Sequence, residues 1–446
     1  HCSRRFCAQV LRALWGAIWA MSWPCVRGVV KGMTHLVTPP ATPTAQRSTA
    51  LHVEPETGHP KACAVPSLAG LPTMDELPGL LAHHCPHARE ASDDDPGPQD
   101  WTTDSGDTAA ARSFEPDVSP LSLAEEVDAR IQEAASSVQA FADSGLDLVR
   151  TLQEAPRNQG RVDLMRVVST GHFVAVKRMP NSWVRSGPEE FARHSGGSLE
   201  LPWFDIGLTG YLHRQGFKHV CEPLGVFRDQ EFTYVSSTFC QGGDLFGLMD
   251  RDPSPGAARE GLIRPVMRQV FSAVGWLHGH GVAHCDISLE NILLGGEDES
   301  EVKLIDFGMS TLSRTCKEGC GKRSYIAPEM LEGPYDPFDA DAFAVGVVLF
   351  SVAARAYPWN STRPGSCKLF DYISRHGLQN FIERRKVWKG SGETLSQVFS
   401  EPLVGLAAGL LSMEPAGRTA ICVECYPEEA SRPSVWDAEW LRMPSV

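Results

Sequence analysis

The stretches His284-Cys-Asp-Ile-Ser-Leu-Glu-Asn291 and Ile305-Asp-Phe-Gly-Met309 place Asp286 and Asn291 five positions apart, with Asp306 fifteen residues beyond Asn291. A carboxylate beside an attacking hydroxyl can orient it and accept its hydrogen bond. Two further oxygen-bearing side chains can hold a divalent cation on a nucleotide. Together these are the needs of a phosphoryl-transfer site, and Asp286, Asn291 and Asp306 have the chemistry and spacing for them.

Such residues need a scaffold. The chain has 446 residues and 42% hydrophobic content, room for a domain of about 250–300 residues with extensions. Its net charge of −14 is unevenly placed. Residues 1–47 carry six Lys/Arg and no acid, whereas residues 92–143 carry thirteen Asp/Glu against Arg112 and Arg130. The acidity belongs to one segment and does not define the partners of the rest. The thirteen cysteines are odd in number and scattered, which fits reduced thiols and a cytoplasmic setting. His83-His84-Cys85-Pro86-His87 and Cys422-Val-Glu-Cys425 lack a second half at zinc-site spacing and read as incidental composition.

In residues 1–33, Trp15, Trp19 and Trp23 recur every four positions beside Leu11, Leu14 and Ile18, an aromatic stripe on a helix that Pro24 would end. With basic flanks it suits peripheral contact with a membrane surface or a targeting role; a helix docked on a protein, or an unordered tail, is the competing reading. It is too short and too interrupted to span a bilayer. Residues 34–120, rich in Pro, Ser, Thr and Asp, read as a disordered linker. In 121–145 an amphipathic helix is expected: Ser122 and Glu125 have capping-box spacing, and Leu123, Val127, Ile131, Ala134 and Val138 form one apolar stripe. From about residue 146 short β-like runs appear (Leu146–Leu152, Val162–Val168, Phe173–Val176), then helical stretches (Leu262–His278, Ala340–Ala353). Strands before helices predict an α+β domain with a small β-rich lobe and a larger helical lobe.

Residues 146–442 resemble a eukaryotic protein kinase, and the resemblance rests on several motifs in order. Phe173-Val-Ala-Val-Lys177 resembles the strand of the kinase lysine. Gly242-Gly-Asp-Leu-Phe246 resembles the segment beyond the hinge of calmodulin-dependent-type kinases. His284–Asn291 is similar to the catalytic loop, Asp306-Phe-Gly308 to the metal-binding motif, and Ala327-Pro-Glu329 to the end of the activation segment. Asp341-Ala-Phe-Ala-Val-Gly346 resembles the helix that buries an acid under the catalytic loop. The resemblance implies a bilobal kinase fold, with Mg-ATP as cosubstrate and protein Ser/Thr hydroxyls as acceptors. It gives Lys177 to the nucleotide phosphates, Asp286 to the hydroxyl, and Asn291 and Asp306 to Mg²⁺. Gly160, Val162, Ala175, Asp205, Thr238 and Cys240 join the nucleotide site, with Ser237 as gatekeeper.

The chain also departs from the family pattern. Gln159-Gly160-Arg161-Val162 matches the end of the glycine-rich loop, but Ala155 and Arg157 occupy the earlier glycine positions, where a missing Cβ lets amides approach phosphates. The acid expected to meet Lys177 aligns on Asp205, where the family has Glu; Glu200 is the substitute. Ser288 stands where Ser/Thr kinases carry a lysine that steadies the transferring phosphate, and Lys322 stands where a Thr often follows Gly321. Cys285 replaces the arginine that binds a phosphorylated activation loop, so phosphorylation of Thr311, Ser313 or Thr315 is not expected to control activity. Glu329 is expected to pair with Arg418 or Arg432, with the spacing admitting both. These departures keep open a scaffold that binds partners with weak or no catalysis, and a small-molecule kinase of related fold; the full activation segment speaks against the latter. No feature points to nucleic acid, and no calcium-binding EF-hand loop is found.

Overall fold

The computed structural model describes residues 122–155, 159–387, 392–428 and 432–444. The aromatic segment 1–33, the linker 34–120, the His83–His87 cluster and Arg157 lie outside the described residues.

The first helix among the described residues, α1 (Leu123–Ser136), opens with a closed capping box. Ser122 Oγ accepts from Glu125 N at 3.3 Å, and the Glu125 carboxylate accepts from Ser122 N at 2.7 Å, satisfying two otherwise orphaned donors. Val127 and Ile131, one turn apart, are its buried residues.

A six-stranded sheet follows, built from β1 (Gln139–Ala140), β2 (Leu146–Ala155), β3 (Gly160–Val167), β4 (Phe173–Pro180), β5 (Pro223–Arg228) and β6 (Phe232–Thr238) in the order β1-β5-β6-β4-β3-β2. Only β1 pairs in parallel, with β5. β2 and β4 begin where the apolar runs predict and extend further, whereas β3 starts two residues before Val162 and ends one short of Val168; β4 continues four residues past Val176, because the ladder to β6 runs on through Lys177↔Val235 to Pro180↔Phe232. Alternation along β4 buries Val174 and Val176 in a small core with Met165 and Tyr234, leaving Ala175 and Lys177 on the opposite face.

Between β4 and β5 lies α2 (Pro202–Arg214). It is fixed by Trp203, whose indole Nε1 donates to Val184 O at 2.9 Å, and by α1. A Cβ on Gly207 would lie 2.2 Å from Ile131 Cγ1, so glycine is what allows α1 to seat on this helix.

The second lobe starts at β7 (Gly243–Asp244) and α3 (Leu245–Asp250), capped by Asp244 Oδ1 accepting from Gly247 N at 2.8 Å. It continues with α4 (Ala257–Gly279), β8 (Ile292–Gly295) and β9 (Glu301–Leu304), which complete a β7-β8-β9 sheet. The helices α5 (Pro337–Ala354), α6 (Lys368–Arg384) and α7 (Glu401–Leu410) follow. Helix α4 starts five residues before the predicted Leu262 and holds Pro265 within it. Helix α5 is long and apolar enough to cross a membrane, yet every one of its residues is buried, which makes it the core helix of this lobe. The fold is thus the expected α+β, two-lobed architecture, small and β-rich first, larger and helical second.

Candidate active site

The face of the first sheet that carries Lys177 follows from strand register. Val162 opposes Lys177, Lys177 opposes Val235, and Ala175 opposes Ser237. Directly opposed residues share a face, as do residues two apart. Gly160, Val162, Ala175, Lys177 and Ser237 therefore lie on one side of the sheet. Thr238 falls on the other side, and its Oγ1 accepts from Glu222 N at 3.1 Å. Cys240 is buried with its Sγ 3.6 Å from Cys221 Sγ. Both side chains are thus committed elsewhere, which leaves these two residues only backbone groups to offer on the sheet's Lys177 face.

Lys177 Nζ donates to Asp205 Oδ2 and to Asp306 Oδ1, each at 2.9 Å. Asp205 thus reaches the lysine directly in spite of its short side chain, and its second oxygen accepts from Phe307 N at 2.9 Å. One carboxylate ties α2, β4 and the Asp306-Phe-Gly308 motif together. Leu201 N adds a bond to Gly308 O at 2.8 Å. Burial pulls the Lys177 ammonium downward, but Asp205 and Asp306 outweigh it and hold its pKa above the ordinary lysine value. The Lys177 charge, working against burial, holds Asp306 below the usual carboxylate range. Asp306 has left-handed backbone, φ 68° and ψ 68°, a conformation Asp tolerates better than most residues. The turn buries Phe307 fully, 4.9 Å from the His284 ring.

Beneath lies the catalytic loop, hung from Asp341 on α5. This acid is 1% exposed. It accepts from His284 N at 2.7 Å and Cys285 N at 2.9 Å, with His278 Nε2 at 3.1 Å. The two amides hold Cys285 in its left-handed conformation, φ 62°. His284 Nδ1 lies 3.3 Å from Asp286 N and Nε2 lies 3.2 Å from Ile305 O, which orients the ring and links the loop to the strand before Asp306.

Asp286 is the centre of the cluster. Asn291 Nδ2 donates to its backbone O and to its Oδ2, both at 2.8 Å. Lys322 Nζ approaches the same Oδ2 at 3.2 Å and donates to Ser288 Oγ at 2.7 Å. Asp286 Oδ1 is buried without a hydrogen-bond partner, an acceptor whose capacity nothing else in the cluster uses. Sequence reasoning singled out Lys322 only as a departure. Its approach to Ser288 spans 34 residues, a contact no local pattern encodes.

The donor set suits a hard cation. With its amide nitrogen committed to Asp286, Asn291 has its carbonyl oxygen to offer beside the Asp306 carboxylate, and oxygen donors match Mg²⁺. Among the described residues no group of three His, Cys, Asp or Glu side chains gathers for a metal. Two protein donors suffice where substrate phosphates supply others.

Glu329 settles on Arg418, in a two-pronged pair at 2.5 and 3.0 Å with the arginine fully buried. Arg432 instead pairs with Asp339, donates to Arg418 O at 3.0 Å and stacks 3.9 Å over Tyr426.

A paired lysine under a small sheet, over a helical lobe carrying Asp286, Asn291 and Asp306, is the arrangement of a kinase fold. Residues 158–426, more than half of the chain, match the protein kinase domain, and the chain belongs to that family. It is similar to CBL-interacting protein kinase 29 of Oryza sativa subsp. japonica, 33% identical over 211 residues, 45% of this chain and 44% of the relative. It is also similar to CBL-interacting serine/threonine-protein kinase 13 of Arabidopsis thaliana, 31% identical over 187 residues, 37% of this chain and 36% of the relative. Calcium-dependent protein kinase 13 of Oryza sativa subsp. japonica is 32% identical over 222 residues, 48% of this chain and 37% of the relative. The match spans less than half the length of each.

Proposed function

We propose that this chain transfers the γ-phosphoryl group of Mg-ATP to Ser/Thr hydroxyls of protein substrates. The observation that carries the reading is the double ion pair of Lys177 with Asp205 and Asp306, since it joins the nucleotide face, α2 and the metal-binding motif in one assembled state. In this reading Lys177 places a cation on the α- and β-phosphates. Asp286 Oδ1 accepts the hydrogen bond of the substrate hydroxyl and aims it at the γ-phosphorus. Asn291 and Asp306 hold Mg²⁺, which offsets charge on the phosphates when bound. Gly160, Val162, Ala175 and Ser237 shape the adenine and phosphate cleft, and the backbone of Thr238 and Cys240 meets the adenine edge.

The test is transfer of labelled γ-phosphate from ATP to a generic protein substrate, followed by phosphoamino-acid analysis, with Asp306→Ala as control. Label on Ser and Thr well above the control is expected. Label no higher than the control would favour the non-catalytic scaffold.

We propose a reducing, cytoplasmic setting, supported by the odd number and scatter of the thirteen cysteines. For residues 1–33 we propose a peripheral membrane contact, supported by the basic flanks and the Trp15, Trp19, Trp23 spacing. Sedimentation of the full chain with anionic vesicles tests it; equal recovery after removal of residues 1–33 would overturn it.

A further inference from the structure

We propose that Lys322 supplies, from the activation segment, the positive charge on the transferring phosphoryl group that Ser288 cannot supply from the catalytic loop. The inference rests on the phosphotransferase reading above and deepens it.

The placement of Lys322 is built rather than incidental. Its Nζ donates to Ser288 Oγ at 2.7 Å and lies 3.2 Å from Asp286 Oδ2. Ser288 is fully buried, so its hydroxyl is a fixed seat for the ammonium. The neighbouring backbone is pressed against the same loop. Gly321 has φ 90°, and a Cβ there would meet Cys285 O at 3.1 Å and Asp286 Oδ1 at 3.4 Å. Tyr325 closes a turn onto Lys322 O at 2.8 Å, and its hydroxyl accepts from Leu289 N at 3.1 Å. Ser288 and Lys322 thus act as a reciprocal exchange. A small hydroxyl occupies the loop position, and the long cation reaches the same place from the opposite side.

The chemistry follows from the distances. A hydroxyl held by Asp286 and aligned on phosphorus brings the phosphoryl oxygens within a few ångströms of any group that touches Asp286. An ammonium has three N–H donors. Asp286 and Ser288 take two, and the third is available to a phosphate oxygen. Burial lowers the proton affinity of Lys322, but Asp286 and Glu290 more than restore it, so the charge is present at neutral pH.

Full-length wild type, Lys322→Ala, Lys322→Arg, Lys322→Thr and the exchanged double variant Ser288→Lys/Lys322→Thr are compared in two measurements. The first is calorimetric affinity for Mg-ATP against Mg-ADP; the second is kcat and KM for phosphoryl transfer. In Lys322→Ala the preference for ATP over ADP is expected to fall at least 5-fold with ADP affinity unchanged, and kcat at least 30-fold with little change in peptide KM. Lys322→Arg and the exchanged variant should each recover a tenfold or larger part of kcat relative to Lys322→Ala and Lys322→Thr, respectively. Unchanged ATP preference and kcat within 3-fold of wild type in a folded Lys322→Ala protein would overturn the inference, as would a rise in kcat, which would make Lys322 a plug. The two readings fail separately. A wild type that transfers no phosphate yet loses ATP preference on Lys322→Ala keeps the cation and loses the catalytic reading. A wild type that transfers phosphate with Lys322 dispensable does the reverse.

Discussion

Asp205 reaches Lys177 at 2.9 Å although its side chain is one methylene shorter than the glutamate the family places there. Helix α2 must therefore sit close to β4, and the same carboxylate is anchored on Phe307 N. Lengthening the side chain in this space overpacks it, at about 1–3 kcal/mol. Asp205→Glu is accordingly expected to lower kcat/KM several-fold, although it restores the family residue. Asp205→Ala removes a charge-assisted partner worth about 1.5–3 kcal/mol, so a loss of about 10- to 100-fold is expected. Steady-state kinetics check both, and an Asp205→Glu protein more active than wild type would contradict the tight-helix account.

Helix α1 owes its seat to Gly207. Replacing Gly207 by Val drives a side chain into Ile131, whose Cγ1 lies 2.2 Å from the position of a Cβ. The expected result is a destabilisation of about 1–3 kcal/mol, read by thermal or denaturant unfolding. Combining Gly207→Ala with Ile131→Ala should cost less than the sum of the two single changes, because the second makes room for the first. Strict additivity would show that the helices do not meet here.

Glu329 and Arg418 are expected to be strongly coupled. Glu329→Ala leaves a buried guanidinium without its acid, a loss of about 3–5 kcal/mol. A double-mutant cycle on unfolding free energy should give a Glu329–Arg418 coupling at least twice that of Glu329–Arg432. Equal couplings would return the choice to both arginines.

The activation segment is held by backbone bonds, by Tyr335 and by the ion pairs Lys322–Asp286 and Arg314–Asp336, with no arginine at position 285. Cys316 and Tyr335 exchange two backbone bonds at 2.9 Å, Tyr335 Oη donates to Glu318 O at 3.0 Å, and Ala283 and Thr311 exchange bonds at 2.9 and 3.0 Å. Cys285, at the phosphate-binding arginine position, accepts on its backbone O from Cys320 Sγ at 3.6 Å. A triple Thr311→Ala/Ser313→Ala/Thr315→Ala protein is expected to keep turnover within about 3-fold of wild type, for want of an arginine there to read a phosphate. A drop of tenfold or more would show that phosphorylation matters.

Much of this site was legible because its residues are close in sequence or sit in motifs of fixed spacing. Asp286, Asn291 and Asp306 announce themselves in that way, and the Ser122–Glu125 capping box is a purely local signal. What escaped the sequence depends on contacts across the fold. Arg418 and Arg432 both have suitable spacing from Glu329 and both are buried; only the engagement of Arg432 by Asp339 across the fold separates them. Strand β1 is two residues long and has no pattern of its own; pairing with β5 creates it. Lys322 looked like a departure from the family until the activation segment was seen folded onto Ser288.

The central claim is that Asp286 is the carboxylate that handles the substrate hydroxyl. Single-turnover phosphoryl transfer by wild type and Asp286→Asn at saturating Mg-ATP tests it most directly, with nucleotide affinity measured alongside. The account predicts a loss of about 100- to 10,000-fold in the transfer step with nucleotide affinity within about 3-fold. Equal transfer rates in the two proteins would contradict it.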